Sequence, residues 1–323
     1  MHAPMTTDAT GQTLALAVDL GGTKVDAALV TSSGTVLPES RTRRPTGRSS
    51  SSDELVEAVR GVVAGALAVL PPGARFVGTG IGAAGPLRAD AGLVSPLNLP
   101  VWRDFPLRQL VDDEVTAAVT SAPVVLAIDG LCIAIAEHWV GAARGHRDVL
   151  GMIVSTGIGG GLILGGVPVG GPTGNAGHIG HIEVGGFDER CLCGGTGCVE
   201  AVASGPKTVA WAQRQGFAGS TGEDLAAAYA AGDEIARAAV RRSGTAIGHA
   251  IASATSLVDL ELVAIGGGFS HVSPDLFVFI RDAIAERAEF PFVTKTRVVP
   301  SALSGDGPII GAGALVHHAD VVP

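Results

Sequence analysis

Apolar residues in the first 130 positions fall in short runs: LALAVD (14–19), KVDAALV (24–30), FVGTGI (76–81) and PVVLAI (123–128). Runs this short, rich in Val, Ile and Leu, read as strands, whereas 53–70 and 131–143 carry the longer periodicity of helices. The second half opens the same way. VLGMIVST (149–156) turns through glycines into GLILGG (161–166), and LELVAIGG (260–267), a helix near 274–288 and TRVVP (296–300) follow. Each half therefore begins as strand, tight glycine turn, strand, which predicts a duplicated α/β unit and not one continuous doubly wound sheet. Between 205 and 258 the pattern is helical, with 233–258 as one long helix expected to pack outside the second sheet. A chain of 323 residues suits two such units, each with its own core.

Composition narrows the class. The chain is 46% apolar but only 4% aromatic and holds 47 glycines, so its positive hydropathy comes from small residues. The longest apolar run, 61–70, contains two glycines and is far short of the roughly 18 to 20 residues of a spanning helix. No membrane segment is expected. The start, MHAPMTTDATGQT, has neither the basic beginning nor the apolar core of a secretory signal, so a flexible tail over 1–13 and a cytoplasmic protein are expected. A net charge of −9 argues against a nucleic-acid partner and leaves small polar substrates open. The basic cluster RTRRPTGR (41–48), with no aromatics interleaved, reads as a solvated loop.

Three glycine loops follow three strands: VDLGGTK (18–24), STGIGGG (155–161) and IGGGF (265–269). Any one alone reads as an ordinary tight turn. Together they point to phosphate, because glycine lets backbone N–H groups approach an anion closely. The candidate nucleotide residues are Asp19, Gly21, Gly22, Thr23, Lys24, Thr156, Gly157, Gly159, Gly160, Gly267 and Gly268. Gly80-Ile-Gly82-Ala-Ala-Gly85 matches GxGxxG, yet Pro86, Arg88, Asp90 and Gly92 follow where a dinucleotide fold needs a helix. No GxxxxGK[ST] loop is present either.

His181, Cys191, Cys193 and Cys198 form H-x9-C-x-C-x4-C, one imidazole and three thiols. That is the donor set of a closed tetrahedral zinc site, and with every position taken by protein the metal is expected to brace structure and not to activate water.

DLGGTK (19–24), STGIGGG (155–161), AGHIGHIEV (176–184) and CLCGGTGCVEAVASG (191–205), in this order and spacing, closely resemble the ROK family of sugar kinases and repressors, over roughly residues 14–318. The resemblance implies a two-lobed, actin-like (ribonuclease H-like) fold. The smaller lobe would span 14–128, the larger zinc-bearing lobe 129–307, and a last helix at 308–319 would return to the first. Family repressors carry an N-terminal helix-turn-helix, and roughly 18 residues precede the first glycine loop, so the DNA-binding branch is not expected. The resemblance further implies ATP as phosphate donor, Mg²⁺ on the side of Asp19, and Asp129 as the base that accepts the proton of a sugar 6-hydroxyl. Read without the family, Asp129 would be an N-cap for helix 131–143. Gly85, Asn98, His178, His181 and Glu200 would meet the sugar, with His181 also a zinc ligand, and a homodimer or homotetramer is the family's habit.

Two positions depart from the family's pattern. His178 stands where most sugar-phosphorylating members have glutamate, a form similar to bacterial N-acetylmannosamine kinases. Ile128-Asp129-Gly130-Leu131 replaces the usual Asn-Asp-Ala-Asn/Gln, whose first asparagine binds sugar. An N-acetylhexosamine kinase, a glucokinase-type hexose kinase and a non-catalytic sugar-binding regulator stay open.

Overall fold

The computed structural model describes residues 11–119, 121–303 and 305–320. The expected N-terminal tail therefore lies outside the described residues up to position 10.

Strands β1 (Thr13–Leu20) and β2 (Lys24–Thr31) form an antiparallel hairpin closed by Gly21 N–H donating to the Lys24 carbonyl at 2.9 Å. The turn is tight enough to set Asp19 directly opposite Asp26 across the pair. β3 (Thr42–Pro45) adds antiparallel to β2, and α1 (Ser52–Leu67) starts at a Ser51/Glu54 capping box. β4 (Arg75–Ala83) pairs parallel with β1, the short β5 (Leu87–Arg88) and β6 (Leu93–Val94) make a side hairpin, and α2 (Leu107–Ala118) leads to β7 (Val124–Ile128), parallel to β4. The first sheet runs β3-β2-β1-β4-β7. α3 (Asp129–Trp139) leaves its last strand.

The second half repeats this plan. β8 (Val149–Val154), β9 (Ile158–Leu164) and β10 (Val167–Val169) make an antiparallel meander. α4 (Val199–Ala203), α5 (Gly205–Arg214), α6 (Gly222–Ala230) and α7 (Glu234–Val258) follow as the outer helical block. β11 (Leu262–Gly266) then pairs parallel with β8. After α8 (Asp275–Arg287) and α9 (Pro291–Thr294), β12 (Arg297–Pro300) pairs parallel with β11. The order β10-β9-β8-β11-β12 matches the first sheet strand for strand, the duplication expected from the two glycine turns.

α3 and α10 (Gly307–His317) lie between the sheets. α3 packs on β8, β9 and α10, and α10 packs on β1 and β4. Residues 130–137 of α3 are buried all round, as a helix walled in on every side must be. Glycine makes this layer thin. A Cβ at Gly80 would run into the Ala312 carbonyl of α10, and one at Gly161 would run into the backbone of Leu131. One apolar cluster surrounds the first sheet, and a second sits between β8, β11 and the outer helices.

Three expectations are corrected. The helix expected at 131–143 begins at Asp129 and ends at Trp139, so Asp129 is its first residue. The N-cap position is Ile128, which makes no side-chain cap bond. The helix expected at 53–70 spans Ser52–Leu67. RTRRPTGR is not a loose loop either. Its middle is β3, and Arg41 and Arg43 turn inward onto Asp26, which is 1% exposed, at 2.8 and 2.6 Å; Arg41 also pairs with Asp306. A carboxylate buried in a strand needs that compensation, and the arginines hold its carboxyl below the usual range against the opposing effect of burial.

Candidate active site

The strands that run parallel end at one side of the molecule, where helix N-termini and glycine turns leave backbone donors free and where open α/β sheets bind ligands. Asp19 sits at the end of β1, Gly85 just past β4, Asp129 just past β7, Thr156 just past β8 and Gly267 just past β11. These five line one cleft, together with residues 21–24, Asn98, Gly157, Gly159, His178, His181, Glu200 and Gly268. Of the expected sugar and nucleotide residues, Gly160 alone stays out of the cleft. It lies behind it, where a Cβ would strike Ile179 and where its carbonyl faces Gly130 of α3. Its glycine serves helix-to-sheet packing, which explains why the STGIGGG run is longer than a phosphate loop needs. The apolar floor of Ile133, Ile153 and Pro308 also lines the cleft and was not legible as such.

The lining combines glycine turns with polar side chains. Residues 21–24 of the β1–β2 turn, the β8–β9 turn and Gly267 and Gly268 all line it, with Gly267 at φ +95° so that the chain can bend back under the cleft. Glu200 in the first turn of α4 accepts a hydrogen bond from Ile158 N–H of the β8–β9 turn at 2.9 Å. Gly157 lies so close that a Cβ there would stand 2.7 Å from Glu200 Oε2. Asn98 packs against Gly22. Asp129 also lines the cleft, its Oδ1 accepting from Gly130 N–H at 2.7 Å.

Burial raises the pKa of both central carboxyls. Asp19 is pushed up to about 7, first by burial and then by the charge of Asp129, with Lys24 pulling the other way. Asp129 rises to about 6, again mainly by burial, with the Gly130 N–H lowering it and Glu200 raising it. An acid whose folded value lies above its unfolded one binds more protons when folded, so stability is full below about pH 4 and is lost as pH rises toward the folded value. Asp19→Asn should thus raise the melting temperature of the nucleotide-free protein by several degrees at pH 8, with no gain at pH 4. Thermal unfolding across this range checks it, and a gain equal at both pH values would refute the reading of a strained carboxylate. The same strain makes Asp19 a natural cation ligand, because a divalent ion compensates what burial removes.

His181 closes a short 3₁₀ turn, and Cys191, Cys193 and Cys198 come from the loop before α4. The four donor atoms lie within 4.8 Å of one another. Cys191 Sγ is 3.6 Å from His181 Nδ1, and Cys193 Sγ is 3.6 Å from Cys198 Sγ. With Zn–S bonds of about 2.3 Å, the edge of a tetrahedron is about 3.8 Å, so the spacing fits a single ion. The knuckle is built by Cys191 N–H to the Gly195 carbonyl at 2.9 Å and Gly194 N–H back to the Cys191 carbonyl at 3.1 Å. Burial and its neighbours push Cys198 up to about 12, whereas the Gly195 N–H pulls Cys193 down. With Nδ1 turned to the thiols, His181 keeps Nε2 for a second partner.

The model of the ROK family matches residues 15–319. The chain belongs to the ROK family. A glucokinase of Halalkalibacterium halodurans is 30% identical over 94% of this chain and 94% of its own. An N-acetylmannosamine kinase of Escherichia fergusonii is 35% identical over 78% of this chain and 82% of its own. The crystal structure of a ROK family glucokinase from Streptomyces griseus in complex with glucose and AMPPNP superposes with a TM-score of 0.82 at 29% identity, covering 94% of this chain and 99% of that one.

Within this ROK chain the two departures are neighbours. Ile128 is 1% exposed and does not line the cleft; it lies beneath Gly85. A Cβ on Gly85 would stand 2.9 Å from Ile128 Cδ1 and 3.1 Å from His178 Cε1. The isoleucine thus acts on the cleft through Gly85 and the His178 ring, which burial and the neighbouring His181 hold down to about 4 and hence uncharged. What the sequence reading missed is the partnership of Asp26 with Arg41 and Arg43. An aspartate inside the apolar strand KVDAALV was the available signal.

Proposed function

We propose that this protein is an ATP-dependent sugar kinase that transfers the γ-phosphate to the 6-hydroxyl of a hexose or N-acetylhexosamine, with an N-acetylmannosamine-type substrate favoured. The observation that carries the reading is the place of Asp129: a buried carboxyl at the head of α3, lining one cleft with the glycine turns and with the His178, His181 and Glu200 wall. A sugar lying against Gly85, Asn98, His178, His181 and Glu200 brings a hydroxyl to Asp129, which takes its proton as the oxygen attacks. With its value near 6, Asp129 is ionised at neutral pH yet basic enough to hold that proton. Residues 21–24, 156–157, 159 and 267–268 surround the phosphates with backbone donors, so positioning and charge neutralisation supply most of the rate. Mg²⁺ would be held on the side of Asp19 and would neutralise charge on the transferring phosphate. A structural Zn²⁺ on His181, Cys191, Cys193 and Cys198 would fix the direction of His181 and the start of α4, hence of Glu200. The lobes would divide at 128/129, with the last helix returning to the first, and the protein would assemble as a homodimer or homotetramer.

The amino-sugar preference rests on His178. A neutral ring beside a buried isoleucine offers one nitrogen and an apolar face where glutamate would offer a charged acceptor. The second reading, a glucokinase, is favoured by the glucokinase relative, which matches more of the chain than the N-acetylmannosamine kinase does. ADP release measured across glucose, mannose, N-acetylmannosamine, N-acetylglucosamine and fructose decides between them, and no turnover with any sugar would overturn the kinase reading. His178→Glu is expected to move the ratio of kcat/KM toward glucose by about tenfold, the worth of one charged hydrogen bond. An unchanged ratio removes His178 from the specificity determinants.

A further inference from the structure

We infer that Asn175 is a positioning residue that clamps one wall of the proposed sugar site to the other. Its side-chain hydrogen bonds go to neither the zinc knuckle nor the glycine turns of the cleft. Its side-chain Oδ1 accepts from Leu87 N–H at 2.9 Å, and its Nδ2 donates to the Leu87 carbonyl at 2.7 Å and to Thr173 Oγ1 at 3.0 Å. One planar amide thereby satisfies both backbone groups of a single residue, as an opposing strand would. The bonding also assigns its orientation, because only this one meets a donor with an acceptor on both sides. Backbone continues the seam, with Ala89 N–H donating to the Thr173 carbonyl at 3.1 Å.

The clamp joins segments from opposite sheets. Leu87 follows Gly85 by two residues in the chain that leaves β4, and Asn175 precedes His178 by three in the chain that follows β10. From Leu87 the hold extends to Asn98: Ser95 N–H donates to the Pro86 carbonyl at 2.8 Å, and Leu97 N–H lies 3.4 Å from the Gly85 carbonyl. Asn175 Oδ1 would itself stand 3.5 Å from a Cβ on Gly85, beside His178 Cε1 and Ile128 Cδ1. The bonds that hold Leu87 therefore help to set the mutual distances of Gly85, Asn98 and His178. Residues 21–24 and 267–268, assigned to the nucleotide, take no part in these hydrogen bonds and meet the clamp only through the packing of Asn98 on Gly22.

The role in sugar binding rests on the sugar-kinase reading; the clamp itself does not, and the test separates the two. In full-length Asn175→Ala, hydrogen exchange at the Leu87 and Ala89 amides should speed up at least tenfold. Sugar affinity measured by calorimetry should fall about thirtyfold, the worth of two ordinary hydrogen bonds, with ADP affinity within twofold of wild type. Asn175→Asp keeps the volume and the acceptor for Leu87 N–H but sets a second oxygen against the Leu87 carbonyl, so it should weaken sugar binding at least tenfold while leaving the fold intact. Unchanged exchange at both amides overturns the clamp. Sugar and ADP affinities falling together overturn the positioning role, since general loosening would do that. If the wild-type protein binds none of the sugars, the kinase reading falls while exchange at Leu87 and Ala89 still decides the clamp.

Discussion

Asp129→Asn is expected to lower kcat at least a thousandfold while leaving sugar and nucleotide affinities within about threefold of wild type. A positioned general base contributes on the order of 10² to 10⁴ in rate, and the asparagine amide has no basic oxygen with which to take a proton. Its shape is preserved, so the Oδ1 that accepts from Gly130 N–H remains in place. Removing a buried charge also relieves Asp19, whose raised value owes its second contribution to Asp129. The variant should accordingly be at least as stable as wild type at pH 8, and a dead but well-folded protein is the outcome that assigns the loss to chemistry. In the wild type, kcat/KM should fall on the acid side as Asp129 is protonated near its value of about 6. The measurement is steady-state turnover of both proteins from pH 5 to 9, with affinities by calorimetry. An asparagine variant retaining a tenth of the wild-type rate would remove Asp129 from the role of base.

Much of this arrangement was legible because the signals were chemical. Four donors at metal spacing and three glycine turns after three strands carry their meaning in the residue types, and the cleft that gathers the turns and His181 follows from strands that end on one side. What was not legible depended on partners distant in sequence. Gly160 belongs by sequence to a phosphate loop, yet α3 presses on it from behind, and nothing local reveals which neighbour claims a glycine. Arg41 and Arg43 look solvated until β2 places a buried aspartate across from them. Ile128 reads as a lost sugar contact, but β7 delivers its side chain under Gly85, outside the cleft. The start of α3 was misread by two residues because Asp129 looks like a capping side chain, and its own carboxyl instead folds back to Gly130 N–H within the helix. Asn175 carried no signal at all, since an asparagine among glycines is ordinary in a turn.

Cys193→Ser should lose the metal and weaken the sugar site together. A serine hydroxyl is a poor zinc ligand at neutral pH, so metal content measured by atomic emission should drop from about one ion per chain to below about a tenth. The whole protein should not unfold, as small zinc domains do, because one apolar core lies away from the knuckle and the second, though Val184 and Val199 of the knuckle join it, is built mainly from the second sheet and the outer helices. The loss should instead concentrate between His181 and α4. Without an ion the loop keeps a few backbone bonds, such as Val184 N–H to the Gly197 carbonyl at 2.8 Å and Val199 N–H to the Ile182 carbonyl at 3.0 Å. Neither of these fixes the His181 ring. His181 would then be free to turn, and Glu200, two residues past Cys198, would lose the anchor that sets the start of its helix. Losing the shell that orients a binding group commonly costs about 10- to 100-fold, so the sugar KM should rise by that factor while the KM for ATP, assigned in the proposed function to the glycine turns, moves little. A melting temperature lower by several degrees is expected alongside. If the variant kept its ion, the ligand assignment would fail. If it lost the ion with the sugar KM unchanged, the metal would brace the loop without shaping the pocket, and Glu200 would owe its place to its bond with Ile158 N–H alone.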